Sequence, residues 1–218
     1  MGRRVTIASV VAVVLATGAG ALAGGGNKQQ IRFNAADQAA ARAAVMRKSD
    51  LGSAPGWSGG ARKPDLSADE SCPNFNPKQS DLVLTGAAET EFSQAALDFD
   101  SEAQVLATAR MVKLDWQRVV LTPGLLPCLR SQTAPAGAKL VSLRKIPFPR
   151  LATYTAAFRL VTDVRASGST VRLFVDIVLV GRNRTEITLR TTAPYAARAA
   201  VKAAEVRLAR ILVGRIRA

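Results

Sequence analysis

Leu97-Asp98-Phe99-Asp100-Ser101-Glu102-Ala103-Gln104-Val105 is the stretch that decides the fold class. Leu97, Phe99, Ala103 and Val105 alternate with Asp98, Asp100, Glu102 and Gln104. That period of two fits a half-buried strand and not a helix. Upstream, Asp81 to Phe92 reads as its partner, with Leu82, Leu84 and Phe92 on one face and Glu89 and Glu91 on the other, joined through a turn near Ser93 to Ala96. If Phe92 and Phe99 share the inner face, then Glu89, Glu91, Asp98, Asp100 and Glu102 all project from the outer one.

Working outward, the hairpin is bracketed by the two cysteines of the chain, Cys72 and Cys128. Thr108 caps a helix in which Ala109, Val112, Trp116, Val119 and Val120 recur at helical spacing. Pro123-Gly124 breaks it, and Leu125 to Arg130 forms a second helical piece carrying Cys128. Two cysteines in an exported chain most simply form one disulfide. Closing a loop of about 57 residues stabilises by roughly 4 kcal/mol on chain-entropy grounds. The spacing is not that of a Cys-x-x-Cys redox motif, so a structural staple is expected.

Further out, Lys139 to Ile146 reads as a strand ended by Pro147 and Pro149, hence near an edge. Leu151 to Val164 is a long strand with Tyr154, Ala156, Phe158 and Leu160 on one face. After a Ser167-Gly168 turn, Val171, Leu173, Val175, Ile177 and Leu179 line the inner side of the next strand. Phe174, Val178 and Val180 make its other side apolar too, which predicts a central position. Arg182-Asn183 connects to a last strand over Thr185 to Thr192. Pro194 is expected to open a helix running to about Ile216, with Ala197, Val201, Ala204, Leu208, Ile211 and Leu212 as its apolar stripe. Upstream, a helix is expected from about Ala36 to Lys48, then a Pro55-Gly56-Trp57 loop and an irregular run from Gly59 to Ser71. The order predicts an α+β fold: an antiparallel sheet of about six strands with helices packed on one face, and one disulfide.

The chain has 218 residues, 30 Lys and Arg against 16 Asp and Glu, no histidine, and a formal net charge of +14. Residues 1–23 read as a secretory signal: Arg3 and Arg4, an apolar run from Val5 to Leu15, and a cleavage site at Ala21-Leu22-Ala23. Gly18 and Gly20 weaken the alternative of an uncleaved membrane anchor. Residues 24–35 read as a flexible linker, and 36–218 as a single domain outside the cytoplasm.

Without histidine there is no Ser-His-Asp triad and no histidine-based metal site. The disulfide removes the cysteine nucleophile. No P-loop or Gly-x-Gly-x-x-Gly is present, so no cofactor is expected. The acidic set Glu89, Glu91, Asp98, Asp100 and Glu102 could bind a cation or a cationic ligand, or supply a general acid and base. The structural alternative is a solvated face offset by Arg144, Arg159 and Arg172. Trp57, in its Pro-Gly loop, is a candidate pocket residue, whereas Trp116 belongs to a core stripe. Arg198, Lys202, Arg207 and Arg210 of the last helix could touch an anionic surface such as membrane or wall polymer. Export and the lack of interleaved aromatic residues count against nucleic acid.

Asp50-Leu51, Pro55-Gly56-Trp57, Cys72, Leu82-Val83-Leu84-Thr85-Gly86, Phe92, Asp115-Trp116 and Leu125-Leu126-Pro127-Cys128-Leu129 together resemble small exported actinobacterial domains. These are similar to the extracytoplasmic sensor domain of mycobacterial PknH-type serine/threonine kinases. The resemblance spans about Ala36 to Ala218 and implies an α+β sandwich-like fold with a cleft, and a sensing or binding role outside the membrane. That sensor domain has two disulfides, where this chain can form one. The expectation is an exported, non-catalytic ligand-binding or sensor-like domain of the cell envelope. Its rivals are a basic protein associating with an anionic wall or membrane surface, and a carboxylate-based hydrolase.

Overall fold

The computed structural model describes residues 27–66, 72, 74–132, 138–166 and 168–216. The expected signal segment, residues 1–23, lies outside them. Eight strands form one sheet: β1 (Gln30–Ile31), β2 (Ser58–Arg62), β3 (Val83–Gln94), β4 (Leu97–Leu106), β5 (Ala138–Lys145), β6 (Tyr154–Ala166), β7 (Ser169–Arg182) and β8 (Thr185–Pro194). Its order is β1-β3-β4-β8-β7-β6-β5, with β2 also paired to β3. Every pairing is antiparallel except the short parallel contact of β1 with β3. The helices are α1 (Ala35–Ala44), α2 (Ala109–Arg118), α3 (Leu125–Gln132) and α4 (Arg198–Arg215).

The α+β class and the antiparallel sheet are as the sequence predicts. The strand count is eight rather than about six among the described residues. The additional strands are β1, only two residues long and within the expected linker, and β2, whose Ser58-Gly59-Gly60-Ala61-Arg62 carries no β-branched or aromatic side chain. Such a segment has little intrinsic strand preference and is held by its partner. The N-terminal helix ends at Ala44, with a 3₁₀ turn over Lys48–Leu51 after it. Pro194 closes β8 instead of opening the last helix, which starts at Arg198 after a 3₁₀ turn.

Helices cover both faces of the sheet, not one. After β4 the chain crosses the sheet through α2 and α3 to reach β5 at the far edge. It then returns hairpin by hairpin through β6 and β7 to lay β8 beside β4. That crossing needs its own cover, so α2 and α3 pack on what is here called the second face. Val112, Trp116, Val119, Leu125 and Cys128 join Ala156 and Phe158 there. α1 and α4 pack on the first face, where Ala41, Val201, Leu208 and Leu212 meet Phe92, Phe99, Phe174, Val178 and Leu189.

A register shift between Leu84 and Gly86 explains a second departure. A bulge moves one residue out of the ladder, so side chains on its two sides exchange faces. Leu84 therefore packs on the second face while Phe92 packs on the first, although simple alternation puts them together. Gly86 follows the bulge because a Cβ there would stand 2.8 Å from the Gln38 backbone nitrogen, so it admits α1 to the sheet. Gly181 plays the same part for α2, since a Cβ would sit 2.6 Å from Trp116 Nε1. Trp116 lies flat there, stacked on Tyr154 at 5.3 Å.

Cys72 and Cys128 form the expected disulfide, with Cα atoms 5.5 Å apart. Cys72 also exchanges backbone hydrogen bonds with Phe75, which packs against Gly124. The disulfide thus pins the segment before β3 onto α3.

Candidate functional site

The carboxylates of the first hairpin gather on the second face, beyond the part covered by α2 and α3. Register sets this: Glu89 faces Glu102, Glu91 faces Asp100, and Ser93 faces Asp98 across β3 and β4. All five expected acids are brought together, and each is partly buried instead of freely solvated. Like charges directly opposite one another repel. Two arginines answer part of that repulsion. Arg190 on β8 places Nε 3.0 Å from Asp100 Oδ1 and Nη2 3.9 Å from Glu102 Oε2. Arg62 on β2 pairs with Glu91. Gln104 Nε2 donates to Glu102 Oε1 at 2.7 Å.

The offsetting arginines are not those expected. β4 is bordered by β8, not by β5 to β7, so Arg144, Arg159 and Arg172 lie elsewhere. Arg172 pairs with Asp163 across the β6–β7 hairpin, and Arg159 pairs with Asp176 on the first face.

Neither Glu89 nor Asp98 has a cationic partner at salt-bridge distance among the described residues. Burial, then a hydrogen bond and charge repulsion from Asp100, push the Glu89 carboxyl up to about 7. Burial also raises Asp98, against a hydrogen bond from Ser93. Glu102 is raised by burial despite Gln104 and Arg190. The wall therefore holds at least one carboxyl that is neutral just below neutral pH and anionic above it. A shallow depression of about 400 Å³ adjoins the wall at the β2 edge, lined by Ser58, Gly59, Gly60, Arg62, Glu91 and Ser93. No group of three or more Cys, Asp or Glu residues is arranged to hold a metal ion among the described residues.

Trp57 does not line this depression. It is 8 % exposed, packs 5.8 Å from the Phe99 ring on the first face, and keeps its indole Nε1 buried without a hydrogen-bond partner. Its loop plugs the core edge.

The basic residues of α4 divide into two groups. Near the C-terminal end, Arg207 donates to the Asp50 carbonyl, and Arg215 forms a two-pronged pair with the Asp50 carboxylate at 2.5 and 2.8 Å. These contacts fasten the 3₁₀ turn to the helix. Near the start, Arg198 and Lys202 border a second depression of about 390 Å³ together with Arg144 and Arg159. Arg210 is exposed. Sequence reading missed a buried acidic pair between this helix and the sheet: Asp176 and Glu205 are both fully buried, with Arg159 on Asp176 at 2.5 and 2.6 Å. A signal was available. Val201, Glu205, Leu208 and Leu212 share one helical stripe, so Glu205 stands where an apolar residue is the rule.

No protein-family model and no curated protein matches this chain. Among the described residues no helix is long and apolar enough to cross a membrane. The disulfide is compatible with a location outside the cytoplasm.

Proposed function

We propose that this chain is a non-catalytic binding domain of the cell envelope, and that its carboxylate wall receives a cationic group of the ligand. The observation that carries the reading is the depression at the β2 edge, which opens beside carboxylates held half-buried and only partly matched by Arg62 and Arg190. A desolvated carboxylate without a counter-ion gains more from an incoming ammonium or guanidinium than a solvated one does. The absence of histidine and the use of both cysteines in a disulfide favour binding over nucleophilic chemistry. The disulfide and the resemblance to exported sensor domains favour a place outside the cytoplasm.

The test uses spermidine and a trilysine peptide as cationic probes at low ionic strength, read by thermal shift and titration calorimetry. Binding should strengthen as pH rises through about 7, where Glu89 loses its proton. Glu89→Gln should remove that pH dependence. The reading fails if neither probe binds, or if binding is indifferent to Glu89→Gln and Asp98→Asn together.

A further inference from the structure

We propose a second, separate binding site, for a phosphate group, in the depression at the start of α4. Its cationic rim is built from three elements: Arg144 of β5, Arg159 of β6, and Arg198 and Lys202 of α4, over apolar Ile146 and Pro147. Arg144 and Arg159 stand directly opposite each other in the antiparallel ladder. Two like charges so placed repel. Asp176 answers Arg159 from below, whereas Arg144 has no acidic partner among the described residues. An anion bridging the two guanidinium groups removes the repulsion.

Of the other two cations, Arg198 has no acidic partner among the described residues, and Lys202, which donates to the Pro147 carbonyl at 3.4 Å, is only partly matched by Glu205. The Arg198 guanidinium lies 4.3 Å over the Tyr195 ring and donates to the Tyr195 carbonyl. The Lys202 ammonium lies 4.4 Å over the Phe148 ring, and its nearest carboxylate oxygen, on Glu205, is 3.9 Å away. Ring faces hold these heads in place while leaving hydrogen-bond donors free for a ligand. α4 starts at Arg198 with no side-chain cap; the Arg198 amide is already taken by the Tyr195 carbonyl of the preceding 3₁₀ turn, and the positive dipole end adds to the field. The forks of Arg144 and Arg198, the Lys202 ammonium and the positive charge of Arg159, whose own fork is taken by Asp176, match the several oxygens of a phosphate better than the two of a carboxylate. The apolar floor suits a ligand that carries a non-polar part beside the phosphate.

The phosphate can be free or part of a lipid headgroup, and the experiment separates these sources. The full chain is titrated at low salt with inorganic phosphate and with glycerol 3-phosphate, and sedimented with phosphatidylglycerol or phosphatidylcholine vesicles. We expect saturable binding, weakened at least tenfold by Arg144→Ala and by Arg198→Ala. Both residues are exposed, so melting temperatures should confirm that the variants fold. Arg144→Lys, which keeps the charge but loses the fork, should fall between, and Arg210→Ala should match the wild type. Binding to phosphatidylglycerol vesicles alone assigns the lipid source, and binding to the soluble ions alone assigns the free one. The proposal is overturned if neither binds, or if Arg210→Ala weakens binding as much as Arg144→Ala, because a diffuse basic surface then accounts for it. Glu89→Gln should leave this binding unchanged, which keeps the outcome independent of the carboxylate wall.

Discussion

On the first face, two carboxylates, Asp176 and Glu205, are shut away under α4 with one arginine locked onto Asp176 by two hydrogen bonds. On the second face, five carboxylates spread over two strands, stay in reach of water, and share Arg190 and Arg62. The two regions are joined through the same sheet, yet they pose opposite problems. Under α4 each charge is expensive to hold, so geometry must be close and any loss is felt by the whole fold. Along β3 and β4 each charge is cheaper, so the ladder tolerates incomplete pairing. Tightly matched buried charge and partly matched, half-exposed charge are thereby found on different faces.

The sharpest way to break this contrast is to remove the buried arginine. Arg159→Ala leaves the buried Asp176 beside Glu205 without its arginine partner, and takes away the guanidinium that lies 4.9 Å over Phe174. Orphaning one member of a buried pair costs about 3–5 kcal/mol. Urea unfolding should show that loss. A change below about 1 kcal/mol would mean that water reaches the pair, and the distinction between the faces would fall.

The matching change on the second face is Arg190→Ala, which strips the cation from Asp100 and Glu102. Because both carboxylates keep some solvent, we expect a loss of about 2 kcal/mol, clearly smaller than for Arg159→Ala. Unfolding at 20 mM and 500 mM salt tests the assignment: the Arg190 effect should shrink with salt and the Arg159 effect should not. Equal losses with equal salt response would show that the two sets of charges are held alike.

How far each region was legible follows from how its residues are arranged along the chain. The carboxylate wall was legible because Asp98, Asp100 and Glu102 alternate on one strand and Glu89 and Glu91 on its hairpin neighbour, so period two alone places them together. Its arginines were not, because that β8 rather than β6 borders β4 is a matter of topology. The disulfide needed only the count of cysteines. The basic depression was hidden because Arg144, Arg159 and Lys202 are separated by long stretches of chain and meet only when α4 crosses the sheet. Trp57 was misleading for a local reason: a Pro-Gly loop looks exposed, but Gly56 turns the chain so that the indole enters the core. β2 was invisible because its glycines carry no pattern, and the Leu84–Phe92 exchange of faces because a bulge leaves no mark in alternation.

The smallest effects are the most discriminating, and they concern single protons. Glu205 is pushed up to about 7 by burial first and by the Asp176 charge next, with Lys202 and Arg159 pulling the other way. Glu89 reaches about the same value by burial, Asp100 and Glu102, against Arg190. In each case the folded state holds the proton more tightly than the unfolded chain, whose carboxyl titrates near 4.5. Between that value and about 7 the native state therefore binds more protons, and stability must fall as pH rises through this window. Replacing either residue by Gln fixes the neutral form. Glu205→Gln should leave stability near pH 4.5 almost unchanged and raise it at pH 8 by about 1–2 kcal/mol, given about 1.4 kcal/mol per pKa unit and an amide that still lacks partners. Glu89→Gln should follow the same course with a gain below about 1 kcal/mol, because solvent screens the wall. The comparison is decided by the ratio of the two gains across a pH series of unfolding curves. If Glu205→Gln loses stability at pH 8, then Arg159 and Lys202 hold Glu205 as a working counter-ion. The first face would then be matched in charge, and the wall on the second face would be the place where unmatched carboxylates are concentrated.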